Sequence, residues 1–390
     1  MSSKKIFIGG WYQRTTLHLS ETYDFLKGID SPLKLNKNKL KNLRDSLEIE
    51  VIEVKIDEFE HINIKTKTGI TVRIFEDGLI TLSMTHTETK RNISKLTNFY
   101  ENKLSPAISY IFSLGAPIPK ELANIKTIYP YFIVLNKATN NKVEELLKDF
   151  NQEKSLEIKK KKFEIYKGDK LYIINNIAEE PHKIERLINE QIFAREFKGQ
   201  LHRYLNLHRI IWEKIADIKE RKEIRGHEAD ALKSKIEGYS KTINLIESRL
   251  NQMGTYIGTR SKIIEKDKEL KNISELLQFR YETLSNTLAY VKEVWTMTKN
   301  YVSSAQDLFS DIQAESANSS FKDLTVITSA GVMVGLLRIL NQKMPEITTS
   351  TISYFVFILL IGYLANRLIK FASMRKKYEI KDAKIKKNIK

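Results

Sequence analysis

The chain has 390 residues, a formal net charge of +17 and no cysteine. This length accommodates two or three structural units of about 100–200 residues each. The lack of cysteine excludes disulfides, thiolate zinc sites and cysteine nucleophiles, and the excess of lysine and arginine predicts an anionic partner, either nucleic acid or a lipid surface.

Residues 1–178 are predicted to form a cytosolic α/β or α+β domain with a regulatory or ligand-sensing role. Helices are expected at Glu88–Phe112 and Lys142–Phe150. No phosphate-binding loop, nucleophile elbow or zinc-protease motif occurs in the domain, so we expect no enzyme. Alternation of apolar residues predicts strands at Lys5–Tyr12, Leu47–Ile56, Ile62–Thr66, Thr71–Phe75, Leu79–Met84, near Thr127–Leu135, within Leu156–Tyr166 and at Lys170–Ile174.

Residues 179–323 are predicted to be a helical stalk region. Two helices, Pro181–Glu223 and Glu228–Met253, are expected to form an antiparallel arrangement packed on a longer one. The longer helix runs without Pro or Gly from about Ser261 into the following apolar segment. Its apolar positions alternate in steps of three and four, which is an a/d seam; a plain coiled-coil spacer is the alternative function. The seam residues are Tyr281, Leu284, Leu288, Val291, Trp295, Thr298, Val302, Ala305, Phe309 and Ile312.

Two apolar segments, 324–340 and 351–371, predict a transmembrane hairpin. They approach the length of about 20 residues that crosses a bilayer core. The linker 341–350 carries one lysine and one glutamate, whereas the tail 372–390 is strongly basic. The positive-inside rule therefore places both termini in the cytosol. A buried helical hairpin in a soluble protein is the alternative.

The cellular location follows from the same segments. The first ten residues contain no apolar stretch long enough for a signal peptide. We therefore expect a multi-pass protein of the inner (cytoplasmic) membrane that inserts through its C-terminal helices. Attraction of the basic tail to anionic lipid headgroups accounts for much of the net charge, and no direct DNA or RNA binding is expected.

Small and polar residues share one side of the first predicted span. This stripe indicates either a tight helix–helix seam, with a Gly-x-x-x-Gly pair, or a water-filled pore formed by several subunits. Arginine within a span usually faces water or a partner, which favours the pore; snorkelling of the arginine to the outer interface is the alternative. The predicted pore-lining residues are Thr325, Thr328, Gly331, Gly335, Arg338 and Asn341.

Acidic residues precede this span on the same predicted helix. Asp307, Asp311 and Glu315 recur at four-residue intervals, and Asp323 lies next to the span. In an oligomer they would form rings that concentrate cations at a cytosolic pore mouth, as acidic rings do in cation channels. A solvated helix face is the alternative interpretation.

The order of these parts resembles the CorA family of magnesium and divalent-metal channels. Leu324-Thr325-Val326-Ile327-Thr328 is similar to the start of the family's first span, and Asn341 followed by Met344-Pro345-Glu346-Ile347 is similar to its external loop. The family's Gly-Met-Asn signature reads Ile339-Leu340-Asn341, so only the asparagine is kept. The resemblance implies a homo-oligomer, as a pentamer, in a lipid bilayer, with Mg²⁺ or another divalent cation as permeant or regulatory ion.

Three functions remain open from the sequence. The first is an oligomeric ion channel or transporter gated through the stalk by the cytosolic domain. The second follows from the resemblance to divergent CorA-like proteins that occur beside type III CRISPR systems, and is an antiviral membrane effector gated by a nucleotide messenger. The third is a non-conducting coiled-coil membrane scaffold.

Overall fold

The computed structural model describes residues 5–13, 18–29, 37–85, 88–113, 130–177, 181–221, 223–267, 271–272 and 280–341, together with residues 360, 363–364, 367, 371 and 377–379. By its packing the chain divides into two compact units. Unit 1 comprises Met1–Leu207 and Leu245–Glu293, and unit 2 comprises His208–Asn244 and Val294–Lys390. The four-part division at residues 178, 323 and 371 stays a prediction.

Unit 1 contains a nine-stranded sheet among its described residues. The strands are β1 Lys5–Trp11, β2 Ile49–Ile56, β3 Glu60–Thr66, β4 Thr71–Phe75, β5 Leu79–Thr85, β6 Tyr131–Asn136, β7 Leu156–Lys159, β8 Phe163–Lys167 and β9 Leu171–Asn176. Their order in the sheet is β2-β3-β4-β5-β1-β6-β9-β8-β7. Neighbouring strands are antiparallel except β6 and β9, which are parallel. With its helices, the sheet makes an α+β unit, as the sequence predicted.

Most of the strand predictions are confirmed with shifted ends. The strand expected from Leu47 begins at Ile49, because Glu48 has a positive φ of 51° that interrupts the extended backbone. The strand expected near Thr127 begins at Tyr131, and residues 114–129 lie outside the described residues. Central strands β1 and β5 are buried along nearly their whole length, which requires cover on both faces of the sheet, because successive side chains point to opposite faces.

Short helices flank the sheet, and two of them were not predicted. These are α1, Leu19–Lys27, and α2, Lys37–Ser46. The predicted helix Glu88–Phe112 is present as α3, Thr89–Phe99, a π-helical turn, Tyr100–Leu104, and α4, Ser105–Ser113. The predicted helix near Lys142 is α5, Asn140–Asp149. Apolar residues from α1, α3 and α4 pack with those of the strands in one hydrophobic core, and burial of such side chains contributes about 25 cal/mol per Å².

Three long helices follow: α6 at Pro181–Lys219, α7 at Gly226–Glu265 and α8 at Tyr281–Asn341. Several boundaries differ from the prediction, since α6 ends at Lys219 rather than Glu223 and α7 begins at Gly226 rather than Glu228. Helix α7 continues past Gly254 and Gly258 to Glu265, so the stalk helix begins at Tyr281 rather than near Ser261. The end of α7 is held by Arg186, whose Nη2 donates to the Ile263 carbonyl at 3.0 Å. A side chain on α6 thus satisfies a terminal carbonyl of α7. Glycine or proline often marks the end of a helix in the sequence, and neither occurs at this one.

The predicted a/d seam of α8 is confirmed, because all its residues from Tyr281 to Ile312 are buried. Within unit 2 the seam contacts α6. Trp295 meets His208 with ring centroids 6.0 Å apart, and Trp212 stacks on Tyr301 at 4.4 Å and 19°. The seam is therefore filled by a helix of the same chain.

Unit 2 also contains a two-stranded sheet. Strand β10, Glu223–Arg225, pairs antiparallel with β11, Lys377–Glu379. The predicted second span, 351–371, lies mostly outside the described residues; those of its residues that are described are helical. The linker 342–350 and most of the basic tail also lie outside them.

Candidate functional site

The predicted pore residues all belong to α8, whose last residue is Asn341. Thr325, Thr328 and Gly331 are exposed. The Thr325 hydroxyl donates to the Phe321 carbonyl at 2.8 Å, an ordinary back-bond of a helical threonine. Gly335 and Arg338 follow within the same helix. The structure thus keeps the predicted stripe on one helix, and its lining of a pore stays a prediction.

The predicted pore-mouth acids lie on the same helix. Asp307 and Asp311 are exposed, and Glu315 and Asp323 follow within α8. Across the described parts of the chain, no group of three or more acidic or histidine side chains is arranged to hold a metal ion. Likewise, in the ranges given above, no helix is both long and apolar enough to cross a membrane.

A buried charge cluster lies in unit 1 where α8 begins. We call Asp77, Glu190, Arg260 and Tyr281 the Arg260 network. Arg260 Nε contacts Asp77 Oδ2 at 2.5 Å, and its Nη1 contacts Glu190 Oε1 at 2.6 Å. The other Glu190 oxygen accepts a hydrogen bond from the hydroxyl of Tyr281, the first residue of α8. The network therefore joins the β4–β5 turn, α6, α7 and the start of α8.

The charged members of the network are almost inaccessible to water. The side chains of Arg260, Asp77 and Glu190 are 1%, 3% and 4% exposed. Aromatic rings enclose the guanidinium, whose Cζ lies 4.7 Å from the Phe59 ring centroid and 4.3 Å from that of Phe193. At this burial each charge requires a partner, since an unpaired ion in the interior costs several kcal/mol.

Burial and charged neighbours together raise the pKa values of Glu190, Arg260 and Tyr281. Burial raises the pKa of Glu190, although Arg260 and the Tyr281 hydroxyl act to lower it. Burial alone would lower the pKa of Arg260, but Asp77 and Glu190 more than compensate and raise it. Burial and the neighbouring Glu190 raise the pKa of Tyr281 well above its usual value. Arg260 therefore keeps its proton, and Tyr281 stays a hydrogen-bond donor.

The sequence signal for this network is a charged residue at a seam position of α7. Buried residues of α7 recur in steps of three and four, and Arg260 occupies one step of that series. An arginine at a buried seam position predicts a specific partner, because seam positions are otherwise apolar. The series is Ile243, Ile246, Leu250, Met253, Ile257, Arg260 and Ile264.

Comparison with solved structures finds CorA proteins. The complete CorA magnesium transporter from Methanocaldococcus jannaschii is 11% identical, with a TM-score of 0.30, over 64% of this chain and 91% of that one. The soluble domain of the same transporter is 12% identical, with a TM-score of 0.20, over 46% and 86%. These likenesses are weak. No protein-family model and no curated protein matches the chain.

The site reasoning from sequence missed the Arg260 network altogether. The partners are far apart in the chain, since the residue numbers of Asp77 and Arg260 differ by 183 and those of Glu190 and Arg260 by 70. Chemically the arrangement holds charge in fixed positions and offers no nucleophile. It joins the first residue of α8 to α6 and α7.

Proposed function

We propose that the chain is a CorA-like membrane ion channel or transporter that assembles as a homo-oligomer. In this proposal the first span lines the pore and the cytosolic domain gates it through α8. The observation that carries the proposal is α8 itself, one uninterrupted helix of 61 residues, about 90 Å long at 1.5 Å per residue. It begins in the Arg260 network and contains the predicted polar stripe, so one helix bears both.

Exposed apolar side chains in the C-terminal part support a membrane location. Large exposed apolar residues are the informative exceptions on a protein surface, and a concentration of them indicates a lipid or protein partner. On α8, Phe321 is 68% exposed and Val332 56% exposed. Within the predicted second span the exposed ones are Leu360, Tyr363, Leu364 and Phe371.

The pairing of β10 with β11 supports the proposed topology. Ile224 of β10, between α6 and α7, lies opposite Tyr378 of the basic tail. Two paired strands must lie on the same side of any membrane. An even number of spans must therefore separate them, and the two predicted spans meet this requirement.

The non-conducting scaffold is less well supported. That hypothesis needs the α8 seam as a surface for partner proteins. In unit 2 the seam residue Trp295 is 1% exposed and contacts α6 of the same chain. The seam residues from Tyr281 to Ile312 are buried within the chain, so they do not form a surface for a partner protein.

Ion flux into liposomes reconstituted with the full chain tests the proposal. Magnesium, monovalent cations and chloride are compared, each with and without a panel of nucleotides. Flux that appears only with a nucleotide would identify the messenger-gated form of the channel. No flux of any ion under any of these conditions would refute the proposal.

Variants of the stripe locate the pore. Gly331→Leu should reduce flux about tenfold, which corresponds to about 1.4 kcal/mol in the barrier, because a bulky side chain narrows the path. Val326→Ala, on the opposite side of the helix, is the matched control and should leave flux unchanged. Arg338→Ala should raise cation flux relative to chloride, because arginine rings favour anions, whereas Arg338→Lys should not. Equal effects of Gly331→Leu and Val326→Ala would exclude this stripe as the lining.

A further inference from the structure

Strand β2 is the first strand in the order of the nine-stranded sheet, so among the described residues only β3 pairs with it. Its other edge, over the eight residues Ile49–Ile56, has no strand beside it in the described part of the chain. Such an edge presents unpaired backbone N–H and C=O groups. Val54 and Ile56 are 42% and 80% exposed, so apolar side chains lie along it as well. An edge of this kind is a surface to which another strand can be added.

The register of the sheet identifies the backbone groups of β2 that face this free edge. The Glu60 carbonyl accepts a hydrogen bond from the Glu76 N–H at 2.9 Å, so the backbone groups of Glu60 face β4. Glu60 lies opposite Ile56, and two residues of an antiparallel pair that do not bond to each other both face away. Bonded and non-bonded pairs alternate along the ladder. Ile52, Val54 and Ile56 therefore present their N–H and C=O groups to the free edge.

The side chains of this stretch complement themselves when the strand is reversed. Ile52, Val54 and Ile56 share one face of the sheet, because successive side chains point to opposite faces. Glu53 and Lys55 share the other face, where they form an ion pair at 2.9 Å and are nearly half exposed. Read backwards, the five residues keep every apolar position and exchange the acid for the base. A reversed copy of the same strand therefore offers matching side chains on both faces.

We propose that β2 pairs antiparallel with β2 of a second copy of this chain, about a two-fold axis at Val54. In this register Val54 of one copy meets Val54 of the other, Ile52 meets Ile56, and Glu53 meets Lys55. A two-fold contact is self-complementary, so each unlike pair occurs twice. The edge-facing backbone groups supply the hydrogen bonds of the new ladder, and apolar and opposite-charge pairs across the strands stabilise it.

Other positions of the axis lack this match. An axis at Glu53 sets the two Glu53 carboxylates opposite each other, and an axis at Lys55 does the same with two ammonium groups. Like charges directly opposite on neighbouring strands are destabilising. An axis at Ile52 sets Val54 opposite Glu50, an apolar residue against an acid. Charge and hydrophobicity therefore select Val54 as the centre.

Cysteine cross-linking of the full chain in detergent tests this register. The chain has no cysteine, so one introduced cysteine can form a disulfide only with the same residue of another copy. Opposite residues of a hydrogen-bonded antiparallel pair have Cα atoms about 5.5 Å apart, a distance that a disulfide spans. Val54→Cys should therefore give a cross-linked dimer on mild oxidation.

Ile56→Cys is the matched control for random collisions. Ile56 is the more exposed of the two residues, so chance encounters would cross-link it more readily than Val54. In the proposed register residue 56 of one copy meets Ile52 of the other, so the two copies of residue 56 lie roughly 13 Å apart. Little cross-linking is therefore expected from Ile56→Cys. No dimer from Val54→Cys, or an equal yield from Ile56→Cys, would overturn the proposal.

Reversal of the charges tests the same contact in the Val54→Cys background. Glu53→Lys sets lysines opposite each other, and Lys55→Glu sets glutamates opposite each other. Each variant alone should lower the dimer yield about tenfold, because like charges then oppose. A mixture of the two should recover the yield, since every acid again meets a base. The mixture contains the same two chains, so misfolding cannot explain a recovery; a mixture that cross-links no better than the separate variants would contradict the proposed register.

The contact between copies goes beyond the proposed channel function and does not depend on it. A Val54→Cys dimer in a protein that conducts no ion would support the contact and refute the channel. Flux without a Val54→Cys dimer would support the channel and refute the contact.

Discussion

Removal of Arg260 should destabilise unit 1 strongly. In Arg260→Met the apolar stem is largely kept, so packing between Phe59 and Phe193 is retained while the charge is lost. Asp77 and Glu190 then face each other in the interior without their shared cation. Breaking a buried ion pair by removing one partner costs about 3–5 kcal/mol, and we expect a loss of unfolding free energy in this range.

The two carboxylates should not contribute equally to that loss. Burial already raises the pKa of Glu190, so without Arg260 this group can take up a proton and avoid the charge. Asp77 keeps the Leu79 N–H at 3.2 Å as a partner of its Oδ1, but Oδ2 loses Arg260. The double variant Arg260→Met with Asp77→Asn should therefore recover part of the stability. The interaction energy of the pair should be about 0.5–3 kcal/mol.

Urea unfolding of the full chain in detergent measures these changes. Trp11 fluorescence in the Trp212→Phe, Trp295→Phe background follows unit 1. Arg91→Met is the control, because Arg91 and Glu88 are 69% and 58% exposed and exposed pairs contribute about 0–1 kcal/mol. If Arg260→Met costs no more than Arg91→Met, the buried network does not stabilise the fold and the reasoning is wrong.

Two further predictions follow from other contacts. Burial acts to raise the pKa of Glu185, but Lys5 and Arg73 lower it below its usual value. Its carboxylate therefore stabilises the fold above about pH 4.3, and this stabilisation is lost as the pH falls through the lower folded-state pKa. Glu185→Gln should lose stability at pH 7, with the difference from the parent shrinking at pH 3 in urea unfolding; a constant difference would contradict it. Trp295→Ala should lower the free energy of unfolding by about 3–5 kcal/mol, measured by far-UV circular dichroism during urea unfolding. Tyr290→Ala, at a 57% exposed position, should lower it much less.

The sequence predicted best what depends on local periodicity. The steps of three and four identified the α8 seam residue by residue, because a helical face buried against a neighbour must repeat at that spacing. The strands were found from a different period, because alternate side chains of a strand lie on the same face of the sheet. Short helices α1 and α2 were missed, since each is brief and α2 has no fully buried residue, which leaves little apolar pattern.

The helix boundaries that the sequence did not predict depend on contacts between residues far apart in the chain. The end of α7 is held by Arg186 of α6, so no glycine or proline marks it, and the absence of those residues suggested a continuous helix from Ser261. The continuation of α7 through Gly254 has a related cause. A Cβ at Gly254 would lie 3.4 Å from Lys292 Nζ and 3.9 Å from Leu288, both on α8, so the position packs on another helix.

The part of α8 from Tyr281 to Ile312 and the part beyond Phe321 present different surfaces. Substitutions in the two parts should therefore affect different properties, stability in the first and assembly in the second. From Tyr281 to Ile312 the seam is buried within the chain. At Phe321, Thr328 and Val332 both apolar and polar side chains are exposed. In the proposed channel, contacts with lipid or with other subunits are therefore expected from the second part, which holds the predicted pore stripe. Substitutions at the seam should lower the unfolding free energy of the single chain, whereas substitutions beyond Phe321 should change assembly and conduction while that free energy stays the same.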